Sequence, residues 1–334
     1  MAAALRVGDG PSIGPRVLVI GASGFLGAHV RDRACVAGMD VVTAGRRELP
    51  DSRSHCRIDL STEDPARLAT TLAAVNPDVV VNCAGSTSAD VGTLAAVNIT
   101  GTSVLVRAMR MTGRLIRLVH LGSAAEYGPS EPGTAVAESA PARPAGAYGA
   151  TKLAATRLVE LARLTGLDAV VLRVFNPVGP GAPDTILPGR VVAELRRALT
   201  GGTDARLGPL DAVRDFVDAR DVADAAIAAV QAAALPAGVI NVGSGIGVPV
   251  RTLVKDLVAI SGYEGPVHED SGGSPCSAAG RPGAERSGAQ WSGALSWQQA
   301  DIGRARRDLG WRPRHDLRTS LADLWEDCRA PDPA

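Results

Sequence analysis

The sequence predicts a doubly wound α/β fold, a parallel sheet covered by helices on both faces. Short β-branched apolar runs alternate with helical patterns over the first half of the chain, the order that builds such a sheet. The runs are apolar at nearly every position rather than at every second one, as in strands buried on both faces. The first run ends in three glycines spaced three apart, Gly21, Gly24 and Gly27, directly before a helical pattern.

Each element follows from its local pattern. Arg16 to Ile20 reads as the first buried strand, and Gly24 to Val36 as the helix after it, stopped near Gly38. Val41–Ala44 and Cys56–Ile58 read as the second and third strands. Thr62 to Val75 is helical, with Pro65 in the first turn, where a missing N–H costs little. Val79–Cys83 is a strand, Leu94–Met111 a helix, Leu115–Leu121 a strand, Ala147–Leu164 a helix and Asp168–Phe175 a strand. The alternation then weakens. A helix at Pro188–Leu199 is followed by a strand, a helix from Arg220 to Ala234, and a strand near Val239–Asn241. Gly262–Gly293 is rich in Ser, Gly, Ala and Pro and reads as a long loop. Two short helices, Gln299–Leu309 and Leu317–Cys328, close the chain, the second capped by Asp316.

Composition removes several classes of function. The 334 residues carry 35 basic and 35 acidic side chains. A net charge of zero leaves no field for holding a phosphate polymer, which disfavours nucleic-acid binding. No run of about 18 consecutive apolar residues is present to span a membrane. Residues 1–15 read as a loose tail without the apolar core of a signal peptide, so the expected compartment is the cytoplasm. The five cysteines and five histidines are scattered without CxxC, HxxxH or HExxH spacing. That argues against a disulfide scaffold and against a metal site.

The glycine triplet carries the first functional signal. Between a strand and a helix, such glycines let the backbone turn tightly, approach a pyrophosphate and pack the helix on the sheet. The helix N-terminus adds unpaired N–H groups and a positive dipole end. The alternative is a bare turn. Arg46-Arg47 follows the second strand, where dinucleotide folds meet the adenosine ribose. Arginine there accommodates a 2′-phosphate and points to NADP(H) over NAD(H), unless the two are a solvated charge pair. Asp59, at the end of the third strand, is placed to accept a hydrogen bond from the adenine amino group.

A second signal lies at the start of the helix from Ala147. Only two of the 35 basic residues are lysines, and one of them, Lys152, stands four residues after Tyr148 on the same helix face. A phenol with a pKa of about 10 is a poor acid at neutral pH, and a neighbouring ammonium brings it toward the working range. Ser123, just after the strand ending at Leu121, is placed to hydrogen-bond the same substrate oxygen.

Taken in order, these residues resemble a known family. Gly21-x-x-Gly24-x-x-Gly27, Asn82-Cys83-Ala84-Gly85, Ser123, Tyr148-x-x-x-Lys152, Leu172 to Gly179 and Arg214-Asp215-Phe216-Val217 are similar to the extended short-chain dehydrogenases/reductases, particularly those acting on nucleotide-activated sugars. The resemblance covers residues 16 to 245 and, more faintly, Ala300-Asp301 to Trp311-Arg312-Pro313. It implies a Rossmann domain (16–175 plus 215–245) and a substrate-binding region (176–214 plus 246–334). It implies Tyr148 as acid/base, Lys152 also on the nicotinamide ribose, and Ser123 polarising the carbonyl. Further cofactor contacts are implied for Gly21, Ser23, Gly24, Phe25, Leu26, Leu60, Ala84 and Phe175. On the substrate side it implies Ser86 and Ala125, with Asn176 and Arg214 at a diphosphate; Arg214 beside Asp215 also reads as a simple ion pair. A homodimer is implied through the helices at 94–111 and 147–164, which carry apolar residues on more than one face.

The run Ser123-Ala124-Ala125-Glu126-Tyr127-Gly128 narrows the reaction. The 4,6-dehydratases carry an Asp-Glu pair where Ala124 and Ala125 stand, fucose-synthase-like epimerase-reductases a Cys at Ala125, and decarboxylating relatives a Glu there. All are missing here, and Glu126, displaced by one, reads as a structural or rim carboxylate. Ketone reduction and 4-epimerisation remain. An epimerase returns the hydride it takes and keeps its NAD, whereas a reductase consumes NADPH each turnover, which suits Arg46-Arg47. The expected activity is therefore NADPH-dependent reduction of a sugar carbonyl, C4 of a nucleotide 4-keto-6-deoxyhexose. The Arg-Pro-x-Asp-like segment of nucleotide-sugar relatives is replaced by Gln290–Ala294, with Arg286 loosely placed to stand in. That keeps open a ketone on a polyketide or other natural-product scaffold, with Trp291 and Trp297 lining an aromatic-accepting pocket. A non-catalytic NADP(H) sensor is the remaining alternative.

Overall fold

Strand and helix alternate as the apolar runs require. The computed structural model describes residues 14–49, 54–236, 238–269 and 297–327. In chain order the first half runs β1 (Arg16–Ile20), α1 (Phe25–Val36), β2 (Asp40–Gly45), β3 (His55–Arg57), α2 (Pro65–Val75) and β4 (Val79–Asn82). Next come α3 (Val91–Leu94), a π-helical stretch (Ala95–Thr100), α4 (Gly101–Met111), β5 (Arg117–Ser123), α5 (Ala147–Leu164) and β6 (Ala169–Val174). The second half adds β7 (Asn176–Val178), α6 (Leu187–Gly201), β8 (Ala205–Leu207), β9 (Val213–Asp218), α7 (Ala219–Gln231) and β10 (Val239–Val242). It closes with β11 (Gly247–Pro249), α8 (Val250–Ser261), β12 (Val267–Glu269), α9 (Gly303–Leu309) and α10 (Leu317–Asp327).

Seven strands form one parallel sheet in the order β10-β6-β5-β4-β1-β2-β3. This is a Rossmann-type doubly wound sheet, and its strand order reverses between β1 and β4. The unbroken apolar runs are explained by which way successive side chains point. In β1, Val17 and Val19 enter the core beneath α1 and α7, while Leu18 and Ile20 enter the core beneath α2 and α4. Each such fully buried Val, Leu or Ile stabilises the fold by about 1.5–3 kcal/mol. Capping sets the helix ends. Asp64 accepts from the Ala66 and Arg67 amides ahead of Pro65, and α2 stops at Asn76 in the left-handed region.

A third core lies outside the main sheet, where α6, α8 and α10 close on β8 and β9 through Val191, Leu195, Leu253, Leu257, Leu321 and Trp325. A three-stranded sheet (β11-β9-β7) and a two-stranded one (β12-β8) border it.

Several sequence expectations are corrected here. The helix read as Leu94–Met111 starts at Val91 and carries a π-helical stretch, which puts Asn98 into the interior. The helix α8 was not anticipated, and the helix expected from Gln299 begins at Gly303, because Gln298 to Asp301 runs extended along Val136 and Val213. Residues 1–13, most of the 262–293 loop, Trp291 and the Gln290–Ala294 segment lie outside the described residues. Val91–Met111 is also long and apolar enough to cross a membrane. Here it lies across the sheet, with Leu105 and Met109 in the core, as a buried helix of such composition does.

The glycine triplet predicts a sharp mutational response. A Cβ on Gly27 would fall 2.0 Å from the Gly21 carbonyl oxygen, so α1 can only pack on the turn if residue 27 has no side chain. Gly27→Ala is therefore expected to lower the melting temperature and weaken dinucleotide affinity together. Differential scanning fluorimetry with and without NADPH checks it, and an unshifted transition would refute the packing argument.

Candidate active site

The carboxyl ends of β1, β4, β5 and β6 open on one cleft of about 800 Å³, roofed by residues of α6 and β9. It lies at the switch point of the strand order, where open α/β sheets bind their ligands. The turn after β1 forms one wall. Gly21 has φ +81°, and a Cβ there would meet the Ala84 amide nitrogen at 2.8 Å, so the loops after β1 and β4 touch backbone to backbone. Gly24, Phe25 and Leu26 line the cleft, and no side chain caps the first turn of α1. The unpaired N–H groups of that turn are thus free for an anion. These residues fit a dinucleotide pyrophosphate.

The adenosine side is more open. Ser23, Arg46 and Arg47 are exposed, the two arginines immediately beyond β2, and Ser23 lies over the end of that strand. Asp59 accepts from the amide and hydroxyl of Ser61, and Leu60 is buried against Gly101. Ala84 is fixed by Asn82, and Ser86 exchanges two hydrogen bonds with Asn98, which also donates to Thr151. Asn98, buried within the π-helical stretch, ties the wall after β4 to α5. Sequence reading did not single it out; its signal was the Asn98-x-x-Gly101-Thr102 run.

Ser123, Tyr148 and Lys152 converge on the cleft's inner end, with Phe175 fully buried beneath and Ala125 on the rim. Lys152 is buried and donates to the Leu121 carbonyl at 2.5 Å. Burial pulls its pKa down, and the nearby Glu126 and Cys83 pull it back up. The phenol of Tyr148 differs from the sequence expectation. Burial pushes its pKa above the ordinary value, against a hydrogen bond with Ser123 that lowers it, and Glu126 adds a further upward push. The ammonium four residues on is engaged by the Leu121 carbonyl instead. Burial and the neighbouring Lys152 both hold the His120 pKa well below its ordinary value, whereas burial drives the Cys83 thiol up to about 12 against the downward pull of Lys152.

Glu126 is the group that sequence reading undervalued. It is fully buried, which settles its role as structural rather than rim. Its Oε1 accepts from the Ser123 amide at 2.8 Å, and its Oε2 takes a bidentate grip from Arg173 at 2.7 and 3.0 Å. The Ser123 hydroxyl oxygen in turn accepts from the Ala125 amide. Arg173 stacks 4.3 Å from the centre of the Tyr127 ring, whose hydroxyl donates to Asn241. The hint was a Glu and an Arg inside otherwise apolar segments.

On the substrate side, Asn176 donates to the Asp215 carbonyl, and Arg214 lines the cleft with its guanidinium pKa lowered by burial. The Asp215 carboxylate accepts from Ser244, Gly245 and Ala300. Arg190 also faces the cleft, and Asp211 is the only carboxylate among the described lining residues. Trp297 does not line the cleft, contrary to expectation. Its indole donates to the Thr134 carbonyl at the edge, and its neighbour Gln298 reaches in instead.

A switch-point cleft with an anion cradle at one end and a Tyr-Lys-Ser group at the other defines a dinucleotide-dependent oxidoreductase of the short-chain dehydrogenase/reductase type. The family model described as the NAD dependent epimerase/dehydratase family matches residues 17–243. The chain belongs to that family, within the extended short-chain dehydrogenases/reductases. It is 37% identical to a dTDP-6-deoxy-L-talose 4-dehydrogenase (NAD(P)+) of Kitasatospora kifunensis, over 93% of this chain and 94% of that one. A UDP-glucose 4-epimerase of Streptomyces lividans is 30% identical over 93% and 95% of the two chains. The structure of RMD from Pseudomonas aeruginosa with NADPH is similar at a TM-score of 0.77 and 25% identity, covering 95% of this chain and 99% of that one.

Breaking the buried pair is expected to be costly, because it strands a guanidinium in the core. Glu126→Gln should lose on the order of 3 kcal/mol of unfolding free energy. Urea denaturation measures it, and a loss within experimental error would show that Arg173 finds another partner.

Proposed function

We propose that the protein is an NADPH-dependent ketoreductase acting at C4 of a nucleoside-diphosphate 4-keto-6-deoxyhexose. The observation that carries this reading is the join of Ser123 and Tyr148 to an electropositive substrate wall. Arg190, Arg214 and Lys152 face the cleft against Asp211, the one carboxylate among the described lining residues, a balance suited to a diphosphate. The relative named for 4-dehydrogenation of a dTDP-6-deoxyhexose with either cofactor supports the sugar and the carbon. Exposed Arg46 and Arg47 beyond β2 support a 2′-phosphate.

Bound NADPH supplies the hydride to the carbonyl carbon. Tyr148 delivers the proton to the carbonyl oxygen, and the Ser123 hydroxyl, its own oxygen already accepting from Ala125, donates to the same atom. Lys152 holds a positive charge below, oriented by the Leu121 carbonyl, and would also hold the nicotinamide ribose. Phe175 and Ala84 would wall the nicotinamide side, and Ser86, Ala125, Asn176 and Arg214, which also line the cleft, would meet the substrate. No carboxylate stands at positions 124 or 125 to remove a C5 proton, which sets dehydration aside. The second reading is 4-epimerisation, favoured by the likeness to a UDP-glucose 4-epimerase.

Tyr148→Phe should reduce turnover by about 10²–10⁴-fold while leaving NADPH affinity intact. A panel of dTDP- and UDP-linked 4-keto-6-deoxyhexoses, followed by loss of NADPH absorbance, tests the reduction. An epimerase would instead purify with NAD and consume none. The pH dependence has a definite sign. Reduction needs the protonated phenol, whose pKa burial raises, so kcat/KM for reduction stays level through neutral pH and falls only in alkali. Alcohol oxidation needs the phenolate and rises over the same range.

The partner is a second copy of the chain. Val91, Met111, Leu161 and Leu164 stay exposed on the helices at 91–111 and 147–164, an apolar surface suited to a four-helix interface. Light scattering should give twice the chain mass, and Leu161→Glu should halve it. Work in the cytoplasm follows from that substrate and cofactor.

A further inference from the structure

Gln298 sits where the chain rejoins the cleft, and the mechanism above makes no use of it. Its backbone amide donates to the Val213 carbonyl, and the preceding Trp297 carbonyl accepts from Ser130, so the residue is clamped between β9 and the segment after Tyr127. The side-chain nitrogen donates to two backbone carbonyls, Ala124 at 3.1 Å and Gly128 at 3.3 Å.

This pair of contacts fixes which way the amide faces. Both partners are carbonyl oxygens and only accept, so the amide atom between them must be the nitrogen, with both its hydrogens engaged. A reversed amide would set three oxygens against one another. The Oε1 of Gln298 is then left as a pure acceptor, without a partner among the described residues, on a side chain that lines the cleft. On the side of the segment it clamps, the cleft is lined by Ala124, Ala125, Gly128 and Pro129, whose side chains have no polar atom to offer. A sugar ring, in contrast, brings hydroxyl donors.

We propose that Gln298 is a specificity-determining residue that accepts a hydrogen bond from a ring hydroxyl of the substrate sugar. The assignment rests on the sugar-nucleotide reading given above. It accounts for glutamine at this position. Glutamate would press a carboxylate oxygen against the Ala124 and Gly128 carbonyls, and an apolar residue would leave the Gly128 carbonyl and the hydroxyl unpaired, the Ala124 carbonyl keeping only the Tyr127 amide.

The test separates recognition from structural support. kcat/KM is measured for a dTDP-linked 4-keto-6-deoxyhexose and for its 2-deoxy and 3-deoxy forms, with the wild type and with Gln298→Met, which keeps length without polarity. The wild type should disfavour one deoxy form by about tenfold, and Gln298→Met should treat that form and the parent alike. Gln298→Asn, polar but one methylene short, should lose the same discrimination and serves where the Met variant fails to fold. A purely structural role would lower all three rates equally, so an unchanged ratio in both variants overturns the assignment while sparing the functional reading. Failure of the wild type with every sugar nucleotide overturns both.

Discussion

The buried pair of Glu126 and Arg173 holds the catalytic end of the sheet in shape. Desolvating two charges costs several kcal/mol per ion, and their attraction compensates only with good geometry and no stranded lone pair. Both conditions are met. The guanidinium forks onto one carboxylate oxygen, the Ser123 amide occupies the other, and the Tyr127 ring covers the open face of the guanidinium. The pair ties the turn after β5 to β6 where both strands end in the cleft. It therefore fixes Ser123 in a short turn rather than letting β5 run on. Gly122 belongs to the same constraint, since a Cβ there would strike the Glu126 carboxylate at 2.7 Å.

The opposite wall is governed by contact rather than charge. Gly21 reaches the Ala84 backbone, Gly27 lets α1 settle on the Gly21 carbonyl, and Gly149 brings the start of α5 onto the Ala125 carbonyl. Each contact removes a side chain's thickness between loops that would otherwise stand apart. Anion cradle and phenol thus share one cleft because three separate backbone approaches are each closed by a missing Cβ. Asn98 adds a polar strut across it, from the Ser86 backbone to Thr151 on α5.

How much of this was legible in the sequence depends on the range of the interaction. Local signals carried well. The apolar runs pointed to six or seven parallel strands where the sheet has seven, the glycine spacing gave the turn, and the four-residue interval gave Tyr148 and Lys152 on one face. Non-local electrostatics did not carry. That Glu126 meets Arg173, 47 residues away, depends on strand register, and no periodicity encodes it. The phenol pKa went astray for the same reason. A spacing of four promised an ammonium at the hydroxyl, yet Lys152 is engaged by the Leu121 carbonyl, and burial dominates the phenol. The π-helical stretch was hidden because one extra residue per turn leaves hydropathy almost unchanged. The elements after Phe175 were missed where three-residue strands fall below the length at which alternation can be read.

Lys152 shows where composition itself becomes physical evidence. Nearly every basic residue here is an arginine, and of the two lysines Lys255 is exposed on α8 while Lys152 is buried at the cleft. The geometry there suits an ammonium. The Nζ stands 2.5 Å from the Leu121 carbonyl, and a Cβ on Gly85 would sit only 3.9 Å from it. A planar guanidinium, with five donors in a rigid fork, is poorly matched to the single carbonyl that holds the group here. A compact ammonium offers three donors on one atom, of which the carbonyl takes one. The others remain for groups entering from the cleft. Glu126 helps keep that charge in place against burial, so the carboxylate that shapes the Ser123 turn also sustains the cation beneath Tyr148.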